Sequence, residues 1–234
     1  SNGQLTLGNL LVPTSHLNSS DVVQLNNTTV GVAGTPTLLN VTANGIVAVT
    51  ADSTVNILGS SANVTMTSNT DIFFGQDSTF NVQAPANLTF NATTQNFMGA
   101  NSTLDAQGAA NISFNTSGGD ILLREGSTIK TAGAGNINLT ASTNIDQRDS
   151  STINASDPSA RVNLNGPTGV AVGNLLVSNS NITSGGAVNF QNSTLGRAGS
   201  PTVVNVTAHD IIFGTDAKTR VLGSQANVKL DATN

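Results

Sequence analysis

The amino-acid sequence predicts an all-β protein: a right-handed, single-stranded parallel β-helix of about ten coils, with three short strands in each coil. Three observations carry this expectation. Between Asn111 and Ala160 a pattern with a period of about 25 residues occurs twice, a length typical of one coil of a stacked-repeat fold. Each copy holds three short apolar alternations: Asn-Ile-x-Phe or Leu, then Asp-Ile or Asn-Ile, then Ser-Thr-Ile. Alternation with period two marks a strand, and the Gly, Asn, Asp and Ser clusters between the runs mark turns. The same spacing then extends along the chain as columns of apolar residues. Above the coils sits a longer repeat, offset by 165 from Gly8 to Gly173.

The first column reads Val23, Ile46, Val64, Leu88, Ile112, Ile137, Val162, Val188, Ile211 and Val228. Two residues on comes a second: Leu25, Ala48, Met66, Phe90, Phe114, Leu139, Leu164, Phe190, Phe213 and Leu230. Both are apolar throughout and are expected to face inward. The position between them is polar except at Val47 and Ile212, which solvated surface does not explain. A second ladder opens on Ser-Thr and points Phe80/Val82, Leu104/Ala106, Ile129/Thr131 and Ile153/Ala155 inward. A third, weaker set is Ile72/Phe74, Phe97, Ile121/Leu123, Ile145 and Val170/Val172. Three faces per coil imply a roughly triangular section, and ten coils at about 4.8 Å make a rod of roughly 48 Å. Shallow coils of this kind gain stability by stacking on their neighbours. Asn63, Asn87, Asn111 and Asn136 read as an amide ladder at a turn, donating to one coil and accepting from the next.

In the longer repeat, GNLLV at Gly8–Val12 returns at Gly173–Val177 and AGTPTLLNVTA at 33–43 returns as AGSPTVVNVTA at 198–208. After a one-residue deletion LGSSANV matches LGSQANV, so that 8–70 corresponds to 173–234 within one β-helix body spanning 1–234. Seven coils make one long repeat. Residues 1–7 and the last residues after Lys229 carry no capping helix or charged lid, so coil stacking is expected to continue past both ends, covalently or through further copies. With no initiator Met and no signal-peptide core, Ser1 reads as a cut end.

The pairing of Ser127–Ile129 with the Gly-Asn-Ile-Asn-Leu-Thr-Ala run at Gly135–Ala141 resembles the repeats of filamentous-haemagglutinin-like secreted adhesins. The resemblance is best from about Ala62 to Ala160. It implies a right-handed parallel β-helix displayed at a cell surface, a handedness that parallel crossovers also favour. That family's amino-terminal secretion domain has no counterpart here, and the long repeat would equally suit another extracellular filament.

Composition narrows the function. Charged residues are 9% and aromatics 3% of the 234 residues, with no Cys, Trp or Tyr. The net charge of −5 is read as spread along the chain, and no basic patch is present to hold nucleic acid. No run of 18 apolar residues spans a membrane. Thiolate metal sites are excluded, and His16 and His209 lie far apart, so no metal, cofactor or catalytic triad is expected. Asp146 and Asp149, flanking Arg148, are the nearest approach to a carboxylate pair and read as a solvated turn. N-x-S/T sequons are dense, and those taken to lie in turns, Asn18, Asn27, Asn101, Asn154, Asn181 and Asn192, are the candidate glycosylation sites. Thr65-x-Thr67 has the spacing of an ice-binding array, but the neighbouring coils give Thr89/Asn91, Ser113/Asn115 and Asn138/Thr140. The expected role is a non-enzymatic, structural segment of an extracellular fibre, stalk or adhesin shaft. Its expected partners are its own continuation and glycans or host surface carbohydrate. A carbohydrate- or ice-binding face is the alternative, and a β-helix polysaccharide lyase or hydrolase the more distant one.

Overall fold

The computed structural model describes residues 3–215 and 217–233. Ser1, Asn2, Asp216 and Asn234, among them the outermost residues of the two ends expected to lack caps, lie outside the described residues. Among the described residues there is no helix. The strands form three parallel sheets of ten, nine and ten members, stacked into a β-solenoid of about nine turns. Each coil visits sheets A, B and C in that order. The coil of Asp71–Phe74 (A), Thr79–Val82 (B) and Ala86–Ala92 (C) is representative.

The corners explain why the same short words recur. Between sheets A and B the chain makes a short turn that ends on Ser. The Ser N–H donates to the carbonyl three positions back, at 3.2 Å for Ser78 to Gly75 and 3.0 Å for Ser151 to Arg148. Its hydroxyl often does the same, as from Ser102 to Gly99 at 2.8 Å and from Ser151 to Arg148 at 2.6 Å. The residue before Ser sits in the left-handed region: Asp52 at φ 55°, Asp77 at 54°, Asn101 at 56°, Gly126 at 70° and Ser150 at 61°. Asn, Asp and Gly tolerate that region best, and a buried Ser satisfies the turn internally. The Ser-Thr-apolar motif is therefore a corner followed by the first inward residue of sheet B.

Inward residues stack like upon like. Phe80, Leu104, Ile129 and Ile153 pair rung to rung in sheet B, as do Val82, Ala106, Thr131 and Ala155, and all are buried, as the sequence predicts. In the coil 71–92 a Phe from each sheet reaches the axis. Phe74 meets Phe90 edge-on at 5.3 Å and Phe80 at 5.9 Å, and Phe114 stacks on Phe90 from the next coil at 4.6 Å. Half of the chain's eight Phe side chains are thus spent on filling the centre of one segment.

The structure corrects several column assignments. Val64, Leu88, Ile112, Ile137, Val162 and Val228 do stand in one sheet, C. Val23, Val188 and Ile211 belong to sheet A, with Leu25, Phe190 and Phe213. Ile46 precedes its strand and is 37% exposed, while Val47 and Val49 pair with Val23 and Leu25 and point inward. That is why Val47 is apolar. Sheet C continues instead through Leu39/Val41, Ile182 and Val204/Val206. Phe97 also changes sides: Asn96 and Met98 are the inward pair, and Phe97 lies on the outer face opposite Phe73. Asn63, Asn87, Asn111 and Asn136 form a column, but on the outer face of sheet C rather than at a turn. Asn111 donates to Asn87 at 3.1 Å, and Asn111 Oδ1 accepts from the Asn136 N–H at 3.1 Å.

One physical event underlies the largest slip. From rung to rung of sheet C the residue number elsewhere advances by 24 or 25, as from Asn91 to Asn115 and from Asn138 to Asn163. From Asn163 to Asn181 it advances by only 18, and Val162 accordingly pairs with Ser180. In this contracted coil the single residue Gly173 joins the A strand Gly169–Val172 to the B strand Asn174–Leu176. A Cβ at Gly173 would lie 2.9 Å from the carbonyl oxygen of Arg148, so the tight corner requires glycine. GNLLV is the sequence of this contracted coil.

The long repeat is also a repeat in space. The sheet C strands Thr37–Ala43 and Thr202–Ala208 stand seven rungs apart. Gly31 and Gly196 share φ values of 90° and 85°, Gly34 and Gly199 of 81° and 80°, and Asn27 and Asn192 of 45° and 46°. Thr37 donates to the Leu58 carbonyl at 2.5 Å, and Thr202 does the same to Leu222 at 2.6 Å. Asn9 and Asn174 each accept from the backbone N–H of a Thr one coil on, at 2.9 and 3.0 Å.

Ile137 is fully buried at the centre of sheet C. Ile137→Asp places a carboxylate in a dry stack and should cost about 3 kcal/mol or more. The corresponding drop in thermal midpoint is roughly 6–12 °C for a chain of this size, measurable by circular dichroism. A variant that melts within a degree of the parent would contradict the register.

Candidate functional site

Function in a rod of this kind must lie on its outer faces, and sheets A and C differ. The middle outward row of sheet C runs His16, Asn40, Thr65, Thr89, Ser113, Asn138, Asn163, Asn181, Asn205 and Lys229. Its amides are largely spent on one another. Asn163 donates to Asn138 at 2.7 Å, Asn181 to Asn163 at 2.9 Å and Asn205 to Asn181 at 3.0 Å. His16 takes the same role, with its Nδ1 3.1 Å from the Asn40 amide nitrogen. Thr65 and Thr67 do sit side by side, but the next rungs interrupt the pattern as the sequence predicts. This face hydrogen-bonds along its own length.

Sheet A carries a different surface. Its middle outward row includes Gln24, Ala48, Phe73, Phe97, Leu122, Asp146, Ala171, Asn189 and Ile212. Phe73 and Phe97 stack with centroids 4.9 Å apart and planes inclined by 7°, and the Arg124 guanidinium lies 5.3 Å from the Phe97 centroid. On the other side of Phe73, the small Ala48 leaves a groove of about 570 Å³. The outward Phe97 was missed in the sequence because its neighbour Asn96, inside the core, breaks the apolar alternation. Asn96 is held there by its amide donating to the carbonyls of Asn115 at 2.8 Å and Phe90 at 3.3 Å.

The sequence-predicted site residues are scattered. Asp146 lies on sheet A with its Oδ2 2.8 Å from Arg148 Nε, and Asp149 is exposed in the following corner. Glu125, Asp146 and Asp149 share a shallow depression of about 360 Å³ with Arg148. The His209 Nδ1 lies 3.0 Å from Oδ2 of the exposed Asp210. Among the described residues no three His, Asp or Glu side chains converge as metal ligands. Of the candidate sequons, Asn27, Asn101 and Asn192 occupy exposed corners in the left-handed region. Asn18, Asn154 and Asn181 lie in strands instead of turns, and Asn181 is a member of the amide ladder. The corner sequons also serve the fold: Asn27 and Asn192 accept from the backbone N–H of Thr54 at 3.1 Å and Lys218 at 3.3 Å, and Asn101 donates to Asp77 at 3.0 Å.

The charge is not spread evenly along the axis. Residues 1–123 hold six Asp and no Lys or Arg, whereas residues 124–234 hold all eight Lys and Arg against seven Asp and Glu. Within the acidic half two carboxyls are displaced in opposite directions. Burial pushes Asp71 above its ordinary value. Burial acts likewise on Asp120, but hydrogen bonds from the Thr143 hydroxyl, the Asn144 N–H (2.9 Å) and the Asn144 amide (3.1 Å) outweigh it and hold Asp120 low. The stability supplied by Asp120 is therefore complete above its unfolded-state pKa and is lost as pH falls through the depressed one, while protonation of Asp71 favours the fold. Carboxyl NMR should show Asp120 titrating below 3.8 and Asp71 above it, and coincident midpoints would contradict both environments.

No family model matches this chain, and neither does any curated protein or solved structure.

Proposed function

We propose that this chain is a structural, non-catalytic length of an extracellular fibre, stalk or adhesin shaft. The observation that carries this reading is the return of the seven-rung unit in three dimensions, with its contracted coil and its left-handed corners at matching places. An enzyme fold has no need to repeat its corners every seven rungs, whereas a shaft grows in reach by adding units. The self-satisfied amide rows of sheet C support the same reading, because they cross-link rungs and leave few polar groups for a ligand. The resemblance to filamentous-haemagglutinin-like repeats points the same way. The partners of such a shaft are its own continuation at either end, whether one polypeptide or successive copies, with surface glycans alongside.

Fibre diffraction or helical reconstruction of the native particle tests this directly. It should show a rung spacing of about 4.8 Å and an axial repeat of roughly 34 Å, seven rungs at that spacing. A discrete, monodisperse particle closed by capping elements would overturn the proposal. No polyuronate or glucan should be cleaved, and cleavage abolished by Asp146→Asn or Asp149→Asn would replace the shaft with an enzyme.

A further inference from the structure

We propose that the groove beside Phe73 on the outer face of sheet A receives an arginine or lysine side chain from a basic segment of a partner protein. This goes beyond the shaft reading and does not depend on it.

The groove lies at the open end of an aromatic stack. Outward Phe residues on adjacent rungs align face to face, and one end of the stack is already closed by a cation, Arg124 over Phe97 at 5.3 Å. At the other end Phe73 is 37% exposed. The next rung places Ala48 opposite Phe73, and a methyl group cannot fill the space that a larger side chain would occupy. A cation within about 6 Å of an aromatic centroid is attracted by the ring quadrupole, and one rung of about 4.8 Å falls within that range.

The walls suit the rest of such a side chain. Val22 and Ile46 line the groove beside Ala48 and offer apolar surface to an aliphatic stem. Asp71 stands two positions before Phe73 on the same face of the strand, with Ile46 opposite it. Asp71 also lines the groove, so its carboxylate sets a negative charge beside the open face of Phe73 and attracts a cation seated there.

Charge selects the class of donor. Residues 1–123 contain six carboxylates and no lysine or arginine; from the adjoining rungs Arg124 caps Phe97 and Lys130 pairs with Asp105 at 2.9 Å, and no lysine or arginine lines the groove itself. A cation brought from outside would sit beside the Asp71 carboxylate and mirror Arg124 across the stack. A neutral hydroxyl-rich ligand such as a pyranose would also offer donors and an apolar face, but it would leave the Asp71 carboxylate in the groove wall without a counter-charge.

The test titrates the intact 234-residue chain with acetyl-Gly-Arg-Gly-amide at low salt, observed by NMR. Saturable shifts should be confined to Val22, Ile46, Ala48 and Phe73. The citrulline counterpart, equal in shape but uncharged, should bind at least about fivefold more weakly, as should the arginine peptide to Phe73→Leu or Asp71→Asn. Phe73 and Asp71 face outward, so both variants should keep the parent circular dichroism spectrum, and Phe73→Leu keeps the apolar surface while removing the ring. Asp146→Asn, on the same sheet but in the other half, should bind like the parent. The proposal fails if no saturable shift appears at these residues, if the citrulline peptide binds equally well, or if Phe73→Leu binds normally. It fails equally if methyl glucoside saturates the same signals more tightly than the arginine peptide.

Discussion

Every feature of this molecule depends on the unbroken parallel backbone ladder. Stacked coils must keep a common register on all three sheets, because a one-residue slip on any of them would turn its inward side chains to solvent. That requirement makes each position answer to the one above and the one below. Inside, it produces aliphatic stacks and the Phe cluster around Phe74, Phe80, Phe90 and Phe114. At the corners it selects residues that accept a left-handed backbone. Outside, it brings like side chains together, and Asn answers this best because its amide both donates and accepts. Charged rows would repel at the same spacing, which accounts for a chain with only 9% charged residues.

The ladder also absorbs irregularity where it can be localised. The contracted coil advances sheet C by 18 where the following one advances it by 24. Sheets A, B and C nevertheless all remain paired through it, because the loss is taken from corners. Gly173 makes this possible by accepting a close approach that no side chain would allow. A device of this kind placed once in seven rungs gives a uniform rod a longer period. It also marks equivalent positions from one unit to the next, as the matched Thr37 and Thr202 hydrogen bonds illustrate.

The outer faces divide the remaining work. Sheet C is polar and internally hydrogen-bonded, so it solvates the rod and ties its rungs together. Sheet A departs from that rule around Phe73 and Phe97, where aromatic surface is exposed in the acidic half of the molecule. Farther along the same row polar and apolar residues are mixed: Asp146 is paired with Arg148 and Asn189 is polar, while Ala171 and the exposed Ile212 are apolar. The stacked aromatic pair is what sets this stretch apart from the rest of the row.

The class of fold, the composition of the three sheets over residues 62–165 and the long repeat were legible in the sequence. Period-two alternation, corner words and a recurring spacing are all local or nearly local signals. The Ser-Thr ladder was the clearest because its corner chemistry and its inward residues are adjacent in the chain. What the sequence did not determine is which sheet an isolated alternation joins. Val23, Val188 and Ile211 look like members of sheet C because strands of every sheet alternate alike, and only the pairing of complete coils places them in sheet A. Phe97, expected inward, lies on the outer face and Asn96 inside for a related reason. Hydrophobicity favours the aromatic inside, and it took the carbonyls of Phe90 and Asn115, supplied by other strands, to hold the amide there. The groove beside Phe73 arises the same way, since Ala48, Asp71 and Phe97 become neighbours only when successive coils stack.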